Sequence, residues 1–275
     1  MDLNSKINRM REEGQDSILF ISDFDGTLTM GFDFDGKRAI NTANVFRKKK
    51  FLGPEYDRVA AGLVSYYAKI ENDYAMSYKK RSEKMLDWWI KQYDAMEEFG
   101  LNKRVIKKVV EEDDIKVRDY FDDFFDFLNS KRIPIIVMSA GVGDIIKEFL
   151  KYRGKLRNNV HIISNFFKYD SQGFFNGVKN DIIHPMNKYA IPIHKSKFYD
   201  KIKDRKNIIL LGDSIGDLKM NEGLEHHNII RIGFYRDTGD KEMRKKYEEL
   251  FDVLIENNDD LRPVISLIRE ITNQG

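Results

Sequence analysis

The sequence predicts an α/β fold: a parallel sheet with helices on both faces, and a helical block inserted after its first strand. Three observations predict it. Ile18 to Ile21 is a short apolar run of the kind found in a strand buried on both faces, and it leads directly into Ser22-Asp23-Phe24-Asp25-Gly26-Thr27. After about residue 116, short apolar runs alternate with amphipathic stretches, the pattern of parallel strands joined by crossover helices. Between the two, residues 54 to 115 contain no proline after Pro54 and glycine only at 62 and 100, so they read as almost wholly helical. The expected division is a Rossmann-like core of residues 1–34 and 116–275 with a helical cap of residues 35–115.

In chain order, residues 1 to 14 read as a short polar helix ahead of the first strand. Phe32 to Lys50 is loop-like and then basic. In the inserted block, apolar residues recur at three- and four-residue steps, among them Ala68, Met76, Met85, Trp88, Trp89 and Ala95. Its aromatics Tyr66, Tyr67, Tyr74, Tyr78, Trp88, Trp89 and Tyr93 are expected in the core, because an aromatic ring buries so much apolar area. Asp119 to Lys131 then reads as an amphipathic helix, Ile133 to Met138 as a strand, Asp144 to Arg153 as a helix and Val160 to Ser164 as a strand. Phe166 to Gly177 looks like a hairpin turning at Asp170 to Gly173. Ile208 to Leu211 is a strand, Leu218 to Glu225 a helix, and Ile229 to Ile232 a strand. Lys241 to Leu250 is a helix, Val253 to Ile255 a short strand, and Leu261 to Ile271 a closing helix. No repeat at a fixed period interrupts this order.

A chain of 275 residues can bury one large core or a core plus an accessory domain. Lysine and arginine (47) nearly cancel aspartate and glutamate (45), which argues against a nucleic-acid-coating surface or a membrane tether. The polar stretch Met1 to Asp16 lacks the apolar segment of a signal peptide, and no run approaches the length of a membrane-spanning helix. With no cysteine, disulfides, zinc–thiolate sites and thiol catalysis are excluded. A cytoplasmic protein fits all of this.

Four stretches carry chemistry. Asp23 and Asp25 follow the first strand, and two carboxylates one residue apart at a buried strand end need a cation or a proton to neutralise them. Mg²⁺ meets that need, as a hard cation that takes carboxylate and backbone oxygens. The strand Ile133 to Met138 leads into Ser139-Ala140-Gly141, then Gly143 and Asp144. A small hydroxyl residue with glycines at a strand-to-helix turn suits phosphate oxygens. The strand Ile208 to Leu211 leads into Gly212-Asp213-Ser214-Ile215-Gly216-Asp217. One of these residues as a helix cap is ordinary, but the pair of aspartates is not, and two acidic strand ends in one sheet point to one shared metal. Lys188 gains significance only in this company, because a phosphate dianion beside several carboxylates needs a cation opposite the metal.

Together these stretches resemble the haloacid dehalogenase superfamily of aspartyl-phosphate enzymes: Asp23-Phe-Asp25-Gly-Thr27 its first motif, Ser139 its second, Lys188 its third, and Gly212-Asp213-Ser-Ile-Gly-Asp217 its fourth. Within it, Met138-Ser-Ala-Gly-Val-Gly-Asp144, Ile163-Ser-Asn-Phe166, Ile183-His184 with Asn187-Lys188, and the run Ile208 to Met220 are similar to the cytosolic pyrimidine 5′-nucleotidases. The similarity is continuous from about residue 116 to 271. In the cap it rests on Gly36-Lys37-Arg38 and Leu86-Asp87-Trp88-Trp89. Two departures are Gly26, where the family usually carries methionine, and Asp87, where it has a glutamate that reads the base.

The resemblance implies a Mg²⁺-dependent 5′-nucleotidase acting on pyrimidine nucleoside monophosphates. Asp23 would attack phosphorus, and Asp25 would protonate the leaving oxygen and later activate water. Mg²⁺ would be held by Asp23, the Asp25 carbonyl, Asp213 and Asp217, the last directly or through water. Ser139, with Ala140 and Gly141, and Lys188 would bind the phosphoryl group. Thr27 is expected to shape the turn, its hydroxyl available to orient Asp25. Asp87, beside Trp88, is expected to read the base, its shorter reach admitting a displaced or larger one. A phosphatase of the phosphoserine phosphatase type and a nucleoside phosphotransferase remain alternatives on the same residues.

Overall fold

The chain enters its first helix at Asp2, whose side chain accepts the Ser5 amide at 3.0 Å and so caps α1 (Leu3–Glu13). The structure is a computed structural model that describes residues 1–33, 35–71, 73, 75–112, 115–188, 193–236, 239–256 and 260–272; Tyr74 lies outside the described residues. The strands are β1 (Ile18–Ser22), β2 (Ile135–Val142), β3 (Val160–Asn165), β4 (Phe167–Tyr169), β5 (Phe175–Val178), β6 (Asn207–Gly212), β7 (Asn228–Tyr235) and β8 (Val253–Glu256). Six of them make one parallel sheet in the order β3-β2-β1-β6-β7-β8, and β4 pairs with β5 as the expected hairpin.

Every residue of β1, β2 and β6 is buried, as the unbroken apolar runs require. Alternate side chains serve opposite faces. Ile18 and Phe20 join a core with Phe124, Ile145 and Ile265, contributed by α6 (Phe121–Ser130), α7 (Gly143–Tyr152) and α9 (Arg262–Thr272). Leu19 and Ile21 join a second cluster with Ile193, Ile202 and Met220, where the cover comes from short 3₁₀ turns rather than long helices. The remaining helices are α2 (Val45–Lys48), α3 (Pro54–Glu71), α4 (Tyr78–Glu98), α5 (Lys103–Glu111) and α8 (Lys241–Leu250).

Two elements differ from expectation. β2 runs on through Ser139, Ala140 and Gly141 to Val142, with its pairing to β3 irregular between Met138 and Val142. In place of a helix over Leu218 to Glu225 there is a 3₁₀ helix, Ile215–Lys219, followed by turns to Gly223. The Asp217 side chain folds back to accept the Ser214 amide (3.0 Å) and hydroxyl (2.8 Å), which holds this turn tight. Gly223, at φ 81°, then leaves the right-handed region altogether.

Among the aromatics of the inserted block, Tyr67 and Tyr93 are buried, while Trp88 and Trp89 are half-buried and Tyr66 and Tyr78 exposed. The chain leaves and re-enters the sheet region side by side, since Met30 N–H donates to Lys116 O and Arg118 N–H to Leu28 O. α3 and α4 pack on each other, whereas α5 packs on α7 of the sheet's helical layer.

Candidate active site

From β1 the chain steps outward to β3 on one side of the sheet, and from β6 outward to β8 on the other. The crevice at the carboxyl ends of β1 and β6 is therefore the topological switch point, where such sheets bind ligands. The Asp23 amide donates to Leu211 O at 3.0 Å, which sets the first acidic strand end beside the second. Carboxylate oxygens of Asp23, Asp213 and Asp217 lie within 4.8 Å of one another. Lys188 reaches this cluster from a turn and donates to Asp23 Oδ1 at 2.5 Å and Asp217 Oδ1 at 2.8 Å, buried with both partners.

Charge here is unbalanced. Burial opposes ionisation of Lys188, but Asp217 and Asp23 outweigh it and hold its pKa above the usual lysine value, so it stays protonated. Among the described residues Lys188 is the cation that hydrogen-bonds within these three carboxylates, with the charges of Arg38 and Arg118 also bearing on Asp213, so negative charge is in excess. Burial raises the pKa of Asp23, Lys188 opposes the rise, and Asp217 and Asp213 add to it. Asp213 is pushed up to about 7, chiefly by burial and then by Asp217. An all-oxygen donor set with an excess of negative charge fits a hard cation.

A stability consequence follows for the metal-free protein. Unfolded, Asp213 ionises near the ordinary value of about 4; folded, it holds its proton to about 7. The unfolded state loses its proton first, so this group costs stability increasingly as pH rises from about 4 to about 7 and no further above that. In the presence of a chelator, the Tm advantage of Asp213→Asn over wild type is expected to open across that window. A difference that is the same at both ends of it would contradict the assignment.

Asp25 lies two residues beyond Asp23, half-buried, and burial raises its pKa. Its oxygens are held by a residue that sequence reasoning missed: Thr42 donates its N–H to Asp25 Oδ1 at 2.9 Å and its hydroxyl to Oδ2 at 2.5 Å. Thr27 does not share that task, since its buried hydroxyl oxygen has no hydrogen-bond partner among the described residues. Ser139 Oγ accepts the Gly141 N–H at 2.9 Å, which leaves its own proton for a ligand. Arg118, also unforeseen, is buried and donates Nε to Thr27 O (2.7 Å) and Nη2 to Gly26 O (2.8 Å), while its guanidinium lies 4.0 Å from the Phe234 ring centroid. It thereby pins the acidic turn from the segment by which the chain returns to the sheet. Gly26 sits at φ 91°, which favours glycine, and a Cβ there would come within 2.5 Å of Asp213 Oδ2, so a side chain at that position requires the Asp213 carboxylate to shift.

A profile of the family described as Pyrimidine 5′-nucleotidase (UMPH-1) matches residues 26–272. The chain belongs to this family. It is 33% identical to the Homo sapiens 7-methylguanosine phosphate-specific 5′-nucleotidase over 270 residues, 98% of this chain and 89% of that protein. The crystal structure of cytosolic 5′-nucleotidase IIIB bound to cytidine has a TM-score of 0.88 and 28% identity, covering 97% of this chain and 90% of that one. A substrate-bound phosphoserine phosphatase shares the haloacid dehalogenase fold, with a TM-score of 0.53 at 15% identity over 90% of this chain and 96% of that one.

In this nucleotidase-family chain, the helical block meets the strand ends through named contacts. Trp89 donates its indole N–H to Ala140 O at 3.0 Å, and the Tyr78 hydroxyl donates to Met186 O, two residues before Lys188. Asp87 lies on α4 with Oδ2 accepting from the Tyr67 hydroxyl (2.5 Å) and Lys91 Nζ (3.1 Å), partners that hold its pKa low. Trp88 stacks on Tyr67, with centroids 5.7 Å apart and planes 9° apart. Glu71, at the end of α3, differs from Asp87. Burial raises its pKa, the charge of Arg38 opposes the rise, and no described residue hydrogen-bonds its carboxylate. Arg38 also bears on Asp213, so its charge acts on the metal-type cluster and on Glu71 alike. No helix among the described residues is long and apolar enough to cross a membrane.

Proposed function

We infer that the protein hydrolyses nucleoside 5′-monophosphates to nucleoside and phosphate through an aspartyl phosphate on Asp23, with Mg²⁺ at the carboxylate cluster. The observation that carries this reading is Lys188 clamped between Asp23 and Asp217 beside Asp213, in a chain of a nucleotidase family. Residues 35–115 serve as the cap, which meets the strand ends through Tyr78 and Trp89 of α4.

Asp23 attacks phosphorus as the bond to the 5′-oxygen breaks, and Asp25 gives that oxygen its proton. Asp25 then takes a proton from the water that attacks the phosphoenzyme, and Asp23 is released as a carboxylate. Acid–base help of this kind contributes ~10²–10⁴ in rate. Ser139 and Lys188 donate to phosphoryl oxygens, and Lys188 holds the nucleophile in line. Asp23, the Asp25 carbonyl and Asp213 are the residues that would hold Mg²⁺. Asp217, whose two oxygens already accept from Lys188 and Ser214, acts through Lys188 or a bridging water. When bound, the cation supplies the missing positive charge between nucleophile and phosphate.

For the base, the carboxylate without a hydrogen bond from any described residue is Glu71 rather than Asp87, and Tyr67 with Trp88 offers an aromatic face nearby in the fold. A carboxylate accepts the N–H donors that cytosine and guanine carry. A methylated, positively charged guanine stacks more strongly on an aromatic face than a neutral base does. With relatives specific for 7-methylguanosine phosphate and one seen with cytidine, 7-methylguanosine and cytidine monophosphates are the leading substrates. A relative named a putative cytosolic 5′-nucleotidase supports a cytosolic location. Arg38 converging on Glu71 also suits an amino acid, so phosphoserine belongs in the same test.

The test is phosphate release from a panel of nucleoside monophosphates, phosphoserine and p-nitrophenyl phosphate, with Mg²⁺ or with EDTA. Nucleotides are expected to lead, and EDTA to abolish release. Glu71→Gln should lose about ten- to a hundredfold in kcat/KM on nucleotides, with p-nitrophenyl phosphate spared. Faster release from phosphoserine than from any nucleotide, or full activity in EDTA, would overturn the reading.

A further inference from the structure

Thr42 lies on the strap that leads from the acidic turn into the helical block, 17 residues beyond Asp25, and it is fully buried. Its backbone and its side chain each hold one oxygen of the Asp25 carboxylate, at 2.9 and 2.5 Å. The hydroxyl is itself oriented: Val142 N–H donates to Thr42 Oγ1 at 3.3 Å, which turns the hydroxyl proton towards Asp25. Gly141 makes room for this meeting, since a Cβ there would collide with Thr42 Oγ1 and come within 2.6 Å of Asp25 Oδ2. Strap, acidic turn and the phosphate-type end of β2 thus converge on one hydroxyl.

We propose that Thr42 is a positioning residue that aims Asp25 at the leaving oxygen, and that the docked strap supplies this aim. The role rests on the hydrolase reading above. In the first step the bond from Asp23 to phosphorus forms, the bond from phosphorus to the 5′-oxygen breaks with its electron pair on oxygen, and Asp25 transfers its proton there. In the second, water's oxygen bonds to phosphorus, the Asp23–phosphorus bond breaks with its pair returning to the carboxylate, and Asp25 takes the water proton. A carboxyl turned about its Cβ–Cγ bond misses both transfers. Nucleoside release needs the first proton, whereas p-nitrophenolate leaves without one.

Rapid-mixing kinetics on Thr42→Val and Thr42→Ser test this. Valine keeps the shape and the backbone bond but removes the hydroxyl; serine keeps the hydroxyl. Thr42→Val is expected to lower kcat on a nucleotide by about ten- to a hundredfold with little change in KM. First-turnover release of p-nitrophenolate should fall far less than that of nucleoside, and Thr42→Ser should recover most of the loss. Equal slowing of both leaving groups, a serine variant no better than valine, or a raised KM at unchanged kcat would overturn the role. If Thr42→Val fails to fold, Thr42→Ala takes its place in the same comparison. Wild-type protein that hydrolyses neither ester would overturn the hydrolase reading and this role with it; an active wild type with an equally active Thr42→Val would overturn this role alone.

Discussion

Asp23→Asn is expected to abolish turnover while leaving the metal-free protein at least as stable as the wild type. An amide cannot form the covalent link to phosphorus, and loss of a nucleophile typically costs on the order of 10⁴-fold or more in kcat. Stability moves the other way. Asp23 is one of three carboxylates sharing a single ammonium, and its pKa is raised because ionisation there is unfavourable. A neutral isostere removes one unmatched charge, and Lys188 keeps Asp217 at 2.8 Å. Thermal unfolding in a chelator beside a turnover assay checks both halves. Residual turnover within about tenfold of wild type would remove Asp23 from the nucleophile's place.

Lys188→Met should be as inactive and, unlike Asp23→Asn, markedly less stable. Methionine fills a similar volume but leaves the buried Asp23 and Asp217 without the cation that hydrogen-bonds them, beside the half-buried Asp213. Removing one partner of a buried ion pair costs about 3–5 kcal/mol. Lowering the pH protonates carboxylates and should recover part of that loss, as should Mg²⁺ by replacing the missing charge. A Lys188→Met protein of wild-type Tm in chelator at neutral pH would mean that the cluster is not under charge strain.

These two residues differ in how legible they are in sequence. Asp23 and Asp213 stand out because an apolar run that must be buried ends abruptly in carboxylates, and the parallel sheet brings such strand ends together. Lys188 is one lysine among many, and its meaning came only from the company it keeps in the order of motifs. Thr42 carries no signal at all: a lone threonine in a polar loop is ordinary, and only the strap's return to Asp25 makes it matter. Glu71 and Asp87 look alike in sequence, since both are helical carboxylates near aromatics. The packing of α3 on α4 gives them different surroundings, because Asp87 receives the Tyr67 hydroxyl and Lys91 while Glu71 has no hydrogen bond from any described residue. Gly26, a departure from the family's usual methionine, takes a positive φ that favours glycine, beside Asp213. Local propensity also misjudged the turn after β6. There a single side chain, Asp217, folds back on Ser214 and serves Lys188 at once.

The most direct test is to quench the protein in acid during turnover of a nucleotide or aryl ester carrying a radiolabelled phosphate, with Mg²⁺ present, and to map the labelled peptide. The account predicts a hydroxylamine-labile phosphoryl group on Asp23, present in wild type, more abundant with the aryl ester when its hydrolysis is slowed by Thr42→Val, and absent in Asp23→Asn. Turnover with no labelled protein at any time in either active form, or label on a residue other than Asp23, would contradict it.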